Sequence, residues 1–308
     1  MHLEYFSLPT QLKEDEYWHQ KYTRYDNKIQ NGYNPQKILD SYDNCYPFRI
    51  FPQKSLSRLD FEPITIFYGS NGSGKTSLLN IIAEFLSLRR SSFYNRSSFF
   101  EDYVSLCRAS NKEVNKNSCI ITSDDVFDYM LNLRVLNDER EYHRKNLIQE
   151  YFDKISNAKE LRVKELKSLA DYDAMYDILK EADELKKSSP SQYVKRKLMN
   201  CRHSQSNGES ASQYFIERIT ENALYLLDEP ENSLSPERQL DLIRYLEESA
   251  RFFNCQFIIA THSPFILSIK GAKIYDLDSV PAKTKLWTEL KNVQLYYEFF
   301  KVHEHQFK

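Results

Sequence analysis

Residues 69–76 read G-S-N-G-S-G-K-T. They follow I-T-I-F-Y (64–68), a β-branched and aromatic run of buried-strand length. They lead into K-T-S-L-L-N-I-I-A-E-F-L-S-L (75–88), whose apolar residues at 78, 79, 81, 82, 85 and 86 have helical spacing. Strand, glycine loop and helix in that order fit the pattern G-x-x-x-x-G-K-[ST]. The residue types have a chemical reason. Gly69, Gly72 and Gly74 let the backbone wrap through Ser70, Asn71 and Ser73 so that its N–H groups point inward at a polyphosphate. The helix beginning at Lys75 adds the positive end of its dipole. Lys75 can reach the β- and γ-phosphates, and the Thr76 hydroxyl can ligate Mg2+. The chain has only six glycines in 308 residues, and three of them stand in this loop. Such a concentration marks a backbone that needs positive φ or very close approach.

A second stretch, A-L-Y-L-L-D-E-P-E-N-S-L-S-P (223–236), places Asp228 and Glu229 at the C-terminal end of a strand. Ligands bind at that end in open α/β sheets. Asp228 can hold Mg2+ directly or through water, and Glu229 can orient or deprotonate an attacking water. A third strand, Q-F-I-I-A (256–260), closes on Thr261-His262-Ser263. His262 is either a satisfied structural residue or a sensor of the γ-phosphate. In H-S-Q-S-N-G-E-S (203–210), Ser206 and the amides around Gly208 could meet an anion at the N-terminus of the helix A-S-Q-Y-F-I-E-R-I. A helix cap with a turn glycine explains the same residues.

Further out, Y-P-F-R-I-F (46–51) and S-R-L-D-F-E-P (57–63) read as short strands, and C-I-I-T (119–122) as another, followed by Ser123-Asp124-Asp125. The reading divides the chain into an N-terminal extension (1–45, without clear period), a P-loop lobe (46–125) and a helical subdomain (126–205). A part with the 203–210 stretch, the acid pair and His262 (206–282) and a C-terminal helix (283–308) complete it. Apolar strands alternating with amphipathic helices predict an α/β sheet covered on both faces. The charge balance, 42 basic against 44 acidic residues, gives a net charge of −2 and removes the global basic signal of a DNA-coating protein. Five cysteines without a C-x-x-C pair argue against a disulfide framework and suit a reducing cytoplasm. No apolar run reaches the roughly 18 residues of a membrane span. Lys195, Arg196, Lys197 and Arg202 form a basic cluster, read as a solvated helical face or a weak nucleic-acid contact. His303 and His305 are assigned no metal.

Taken together, these motifs resemble the ABC-type ATPases, and within them the SMC- and RecF-like branch. The narrower likeness is to stand-alone bacterial AAA-type ATPases, among them the PtuA ATPase of Septu systems, which acts with a nuclease in phage defence. The resemblance implies a P-loop NTPase fold, an ABC-type head with a mixed sheet flanked by helices and a helical subdomain. Gly69 to Thr76 match the Walker A loop, and Ser206 to Glu209 the signature, here S-N-G-E. Asp228 and Glu229 match Walker B, Ser233 to Ser235 the D-loop, and His262 the switch histidine. No glutamine clearly fills the Q-loop; Ser123-Asp124-Asp125 occupies that place or is a helix N-cap with an acidic first turn, and Tyr46 is the candidate for adenine stacking. The resemblance further implies ATP and Mg2+ as cofactors and a homodimer, or matched heterodimer, that sandwiches ATP. Ser206 and the Gly208 backbone of one copy would then contact the γ-phosphate held by the other. A nuclease or other effector is the partner so implied, with an ABC transporter's nucleotide-binding subunit as the alternative role.

Overall fold

A computed structural model describes residues 1–25, 45–161 and 207–307, together with 178–180, 182–185, 190 and 194. The chain divides into two compact units, one made of Met1–Asp128 and Asn207–Lys308, the other of Tyr129–Ser206. In the first unit the strands are β1 (Tyr5–Ser7), β2 (Arg58–Asp60), β3 (Ile64–Tyr68), β4 (Arg108–Ala109), β5 (Cys119–Thr122), β6 (Leu224–Asp228), β7 (Gln256–Thr261), β8 (Lys273–Asp276) and β9 (Lys283–Thr284). The helices are α1 (Gln11–Tyr25), α2 (Lys75–Phe85), α3 (Phe100–Leu106), α4 (Ser123–Leu161, which continues into the second unit), α5 (Asn207–Arg218), α6 (Pro236–Phe252), α7 (Pro264–Leu267) and α8 (Lys291–Val302).

The main sheet runs β5-β6-β7-β3-β8-β9. It is parallel from β5 to β8, with β9 antiparallel at the edge. Every residue of β3, β6 and β7 is buried, as a sheet covered on both faces requires. This is the expected α/β architecture, a mixed sheet flanked by helices. Helix α2 packs on β5, β6 and β7, and α6 on β7 and α7. The register brings three strand ends level: Tyr68 pairs with Thr261, and Asp228 with Ala260. The residues that follow β3, β6 and β7 therefore emerge along one edge of the sheet.

Three local expectations need correction. Residues 46–51 form turns instead of a strand, because Arg49 sits at φ +67° and the loop closes on itself through Phe48 N–H to the Cys45 carbonyl at 3.0 Å. The described part of the N-terminal extension, residues 1–25, is built into the fold. Strand β1 is the centre of a three-stranded antiparallel sheet, β2-β1-β4, and Trp18 of α1 lies in the core beside Phe48 and Phe99. Its period was hidden because the residue buried one turn before Trp18 is an acid, Glu14. Burial pushes that carboxyl up to about 7, and its Oε2 accepts the Arg49 amide at 2.9 Å. Third, Gly208 lies within α5, which is described from Asn207 onward, instead of in a turn before Ala211. Ser206, like the basic residues Lys195, Arg196, Lys197 and Arg202, lies outside the described residues.

Within the second unit Tyr151, Ala182 and Val194 are buried, and the Tyr151 hydroxyl donates to the Leu185 carbonyl at 3.4 Å. Among the described residues Cys45, Cys107, Cys119 and Cys255 form no disulfide, and no helix is long and apolar enough to cross a membrane. The C-terminal segment is ordered past α8: His303 Nδ1 lies 2.8 Å from the Phe299 carbonyl, and a 3-10 turn spans Glu304–Phe307.

Candidate functional site

The loop after β3 carries a backbone that side chains would disturb. Gly74, at φ +95°, sits immediately before α2. A Cβ on Gly69 would come within 2.7 Å of Ser73 Cβ, so that close approach is open to glycine alone. The first-turn amides of α2 have no intrahelical acceptor and face the same hollow, which is where an anion belongs. The Ser73 hydroxyl is buried and without a hydrogen-bond partner. An orphaned donor beside the first-turn amides of α2 fits a bound phosphate.

Lys75 is buried at 5 % exposure, and its ammonium donates to the carbonyls of Gly69 at 2.7 Å and Ser70 at 3.2 Å. It lies 3.8 Å from Glu229 Oε1. The Thr76 hydroxyl donates to Asp228 Oδ1 at 3.1 Å. The glycine loop and the acid pair, far apart in the chain, thus meet at one place. They share a cleft of about 570 Å3 lined by Ile50, Gln53 and Lys54 on one side and by Asn71 to Ser77 with Glu229 on the other.

The two acids differ in setting. Burial pushes the Asp228 carboxyl up to about 6; the Thr76 hydroxyl opposes this, and the neighbouring Glu229 adds to it. Asp228 and Thr76 are the pair that could hold a cation, with phosphate oxygens and water completing its shell. Glu229 is more open and stands at φ +47°, a left-handed backbone rarely adopted outside glycine. Its Oε2 accepts from Asn232 Nδ2 at 3.1 Å. His262 follows β7, and its Nδ1 lies 3.6 Å from Glu229 Oε1. Lys75 and His262 therefore approach the same carboxylate oxygen from two sides.

Residues 207–267 match the AAA ATPase domain family. The chain has an α/β fold with a P-loop-type glycine loop between β3 and α2. Among solved structures it is similar to the Smc head domain of Pyrococcus furiosus with an extended coiled coil, at 12% identity and TM-score 0.36 over 82% of this chain and 95% of that one. It is also similar to cbiO1 of Clostridium perfringens, part of the ABC transporter complex cbiONQ, at 14% identity and TM-score 0.35 over 80% and 87%. No curated protein sequence matches the chain. The fold reading rests on the strand order and loop geometry above together with the family match.

Several residues of the candidate site were not foreseen. Asp278 accepts the Ser70 amide at 2.8 Å and its hydroxyl at 2.9 Å, anchoring the glycine loop from the end of β8. Its position just past a strand end was the available signal. Tyr46 does not line the cleft; its ring stacks on Phe100 at 5.8 Å, and Ile50 and Gln53 form the wall in its place. The turn at 46–51 turns Tyr46 toward the core. Ser123-Asp124-Asp125 is a helix start: Asp125 Oδ2 accepts from Thr122 N–H at 2.8 Å, and Thr122 Oγ1 accepts from Asp125 N–H at 3.3 Å.

A pH prediction arises from Asp228. A carboxyl that titrates near 3.8 unfolded and near 6 folded takes up a proton on folding between those values. Its contribution to stability is full below pH 4 and is lost as pH rises through 6. Asp228→Asn removes the buried charge. It is expected to stabilise the nucleotide-free protein by about 2–3 kcal/mol above pH 6 and to change it little below pH 4. Unfolding midpoints of the two proteins across that range check this; a constant difference would refute it.

Proposed function

We propose that the protein hydrolyses ATP with Mg2+ and uses ATP-dependent pairing of two copies as its output to a macromolecular partner. The observation that carries the reading is the meeting of Lys75 and Thr76 with Glu229 and Asp228 at one cleft, at 3.8 and 3.1 Å. In this reading the loop from Gly69 to Thr76 binds the β- and γ-phosphates through the first-turn amides of α2, with Lys75 released from the Gly69 and Ser70 carbonyls to meet them. Thr76 and Asp228 hold Mg2+, which when bound offsets the phosphate charge. Glu229 orients the attacking water and accepts its proton, and His262 stands on the γ-phosphate side of Glu229.

Ser206 and Gly208, matched to the signature by sequence, are the residues we assign to the partner copy's nucleotide. A homodimer through sandwiched ATP follows, with a nuclease or other effector protein, in phage defence or a DNA transaction, as the recipient of the change. The likeness to Septu-type ATPases supports that setting, and the four cysteines that form no disulfide fit a reducing cytoplasm. Phosphate release that requires Mg2+ and stops with a chelator is the expected result. A doubling of the sedimenting mass with ATP, reversed on hydrolysis, is expected beside it. Absence of turnover at saturating Mg2+-ATP would remove the enzyme reading, and an unchanged mass the pairing.

A further inference from the structure

The backbone of His262 is held on both sides of its Cα by side chains of two different elements. Glu231, in the 3-10 turn Pro230–Ser233 that follows Glu229, accepts His262 N–H at 3.0 Å on its Oε1. The same oxygen accepts Ser263 N–H at 3.2 Å and the Thr261 hydroxyl at 2.5 Å. On the other side Asn292, in the first turn of α8, donates its Nδ2–H to the His262 carbonyl at 2.7 Å. The Asn292 amide donates to the Tyr68 hydroxyl at 3.3 Å, which ties this helix start to the last residue of β3 before the glycine loop.

The His262 side chain itself is half exposed, so packing does not fix its direction. Its Nδ1 lies 3.6 Å from Glu229 Oε1 and 3.5 Å from Glu231 Oε1. Both clamping residues also keep one buried oxygen without a partner, Glu231 Oε2 and Asn292 Oδ1. Leaving a buried polar atom unpaired is costly, so the hold on His262 is retained against an adverse local cost.

We propose that Glu231 and Asn292 are positioning residues that fix the two peptide planes flanking the His262 Cα and so set the imidazole beside Glu229. The inference rests on the reading of Glu229 and His262 as the pair facing the γ-phosphate. Positioning of this kind acts on the chemical step, where a misplacement of about 1 Å costs on the order of a hundredfold in rate. Neither residue touches the phosphate cleft, so nucleotide affinity is not its business.

The test uses the full chain in steady-state Mg2+-ATP hydrolysis. Asn292→Ala and Glu231→Ala are expected to lower kcat about ten- to a hundredfold with KM for ATP within about twofold. Glu231→Gln keeps an oxygen able to accept the same three bonds and is expected to recover most of the Glu231→Ala loss. In a His262→Ala background, Asn292→Ala should add nothing, because it acts through the imidazole. A loss that multiplies with His262→Ala, a change in KM in place of kcat, or wild-type kcat in His262→Ala overturns the proposal. Hydrogen exchange over residues 260–264 of the nucleotide-free protein is read in parallel. Faster exchange in both alanine variants supports the clamp, and unchanged exchange overturns it. If exchange quickens but the unmodified protein shows no turnover, the clamp stands and the hydrolysis reading fails.

Discussion

Replacing Glu229 by Gln is expected to lower ATP turnover about a thousandfold while leaving ATP bound and two copies paired. The substitution keeps shape and removes the ability to accept a proton from water. Asp228 cannot take over: it is buried, turned to the Thr76 hydroxyl at 3.1 Å, and its carboxyl is already pushed toward the neutral form. Glu229 alone faces the cleft, held at a strained left-handed backbone with Lys75 at 3.8 Å and His262 at 3.6 Å. A strained residue between two cationic or protonatable groups is arranged for chemistry and not for packing. If ATP joins two copies and only hydrolysis parts them, blocking the proton transfer leaves the joined state to accumulate. Phosphate release and light-scattering mass with and without Mg2+-ATP read the two halves separately. Turnover within tenfold of the unaltered protein would remove Glu229 as the base. A monomer at saturating ATP would remove the sandwich and leave the hydrolysis intact.

The parts of this site that were legible in the sequence are those where one local pattern fixes both backbone and chemistry. The glycine loop announces itself because the chain is poor in glycine elsewhere, and because strand and helix periods flank it. Asp228 and His262 were placed by a topological rule, that residues just past parallel strands share an edge; the register Asp228–Ala260 and Tyr68–Thr261 puts them there. What escaped depends on long-range pairing. Glu231 looks like a loop acid until its carboxylate is seen to gather Thr261, His262 and Ser263 from the next strand end. Asn292 carries no motif at all, and its role exists only because α8 returns to β3 and β7. The turn at 46–51 defeated a strand reading because aromatic and β-branched residues favour strands on average, while Arg49 adopts a positive φ held by Glu14 of a distant helix.

Lys75→Ala is expected to weaken ATP binding by at least about a hundredfold, roughly 3 kcal/mol or more, with turnover falling below detection at ordinary ATP concentrations. In the nucleotide-free site the ammonium is buried and spends its hydrogens on the Gly69 and Ser70 carbonyls, bending the loop around itself. The truncation takes from the phosphates the only deeply buried cation among the described cleft residues. Lys75→Arg keeps the charge but carries a larger, planar head that the 5 % exposed position has little room to admit. It is expected to bind ATP weakly, closer to the alanine variant than to the unaltered protein. Direct titration with ATP and Mg2+ gives Kd for each. Affinity within threefold of the unaltered protein in Lys75→Ala would mean that the triphosphate lies elsewhere, and the loop at 69–76 would then be a turn with no phosphate to hold.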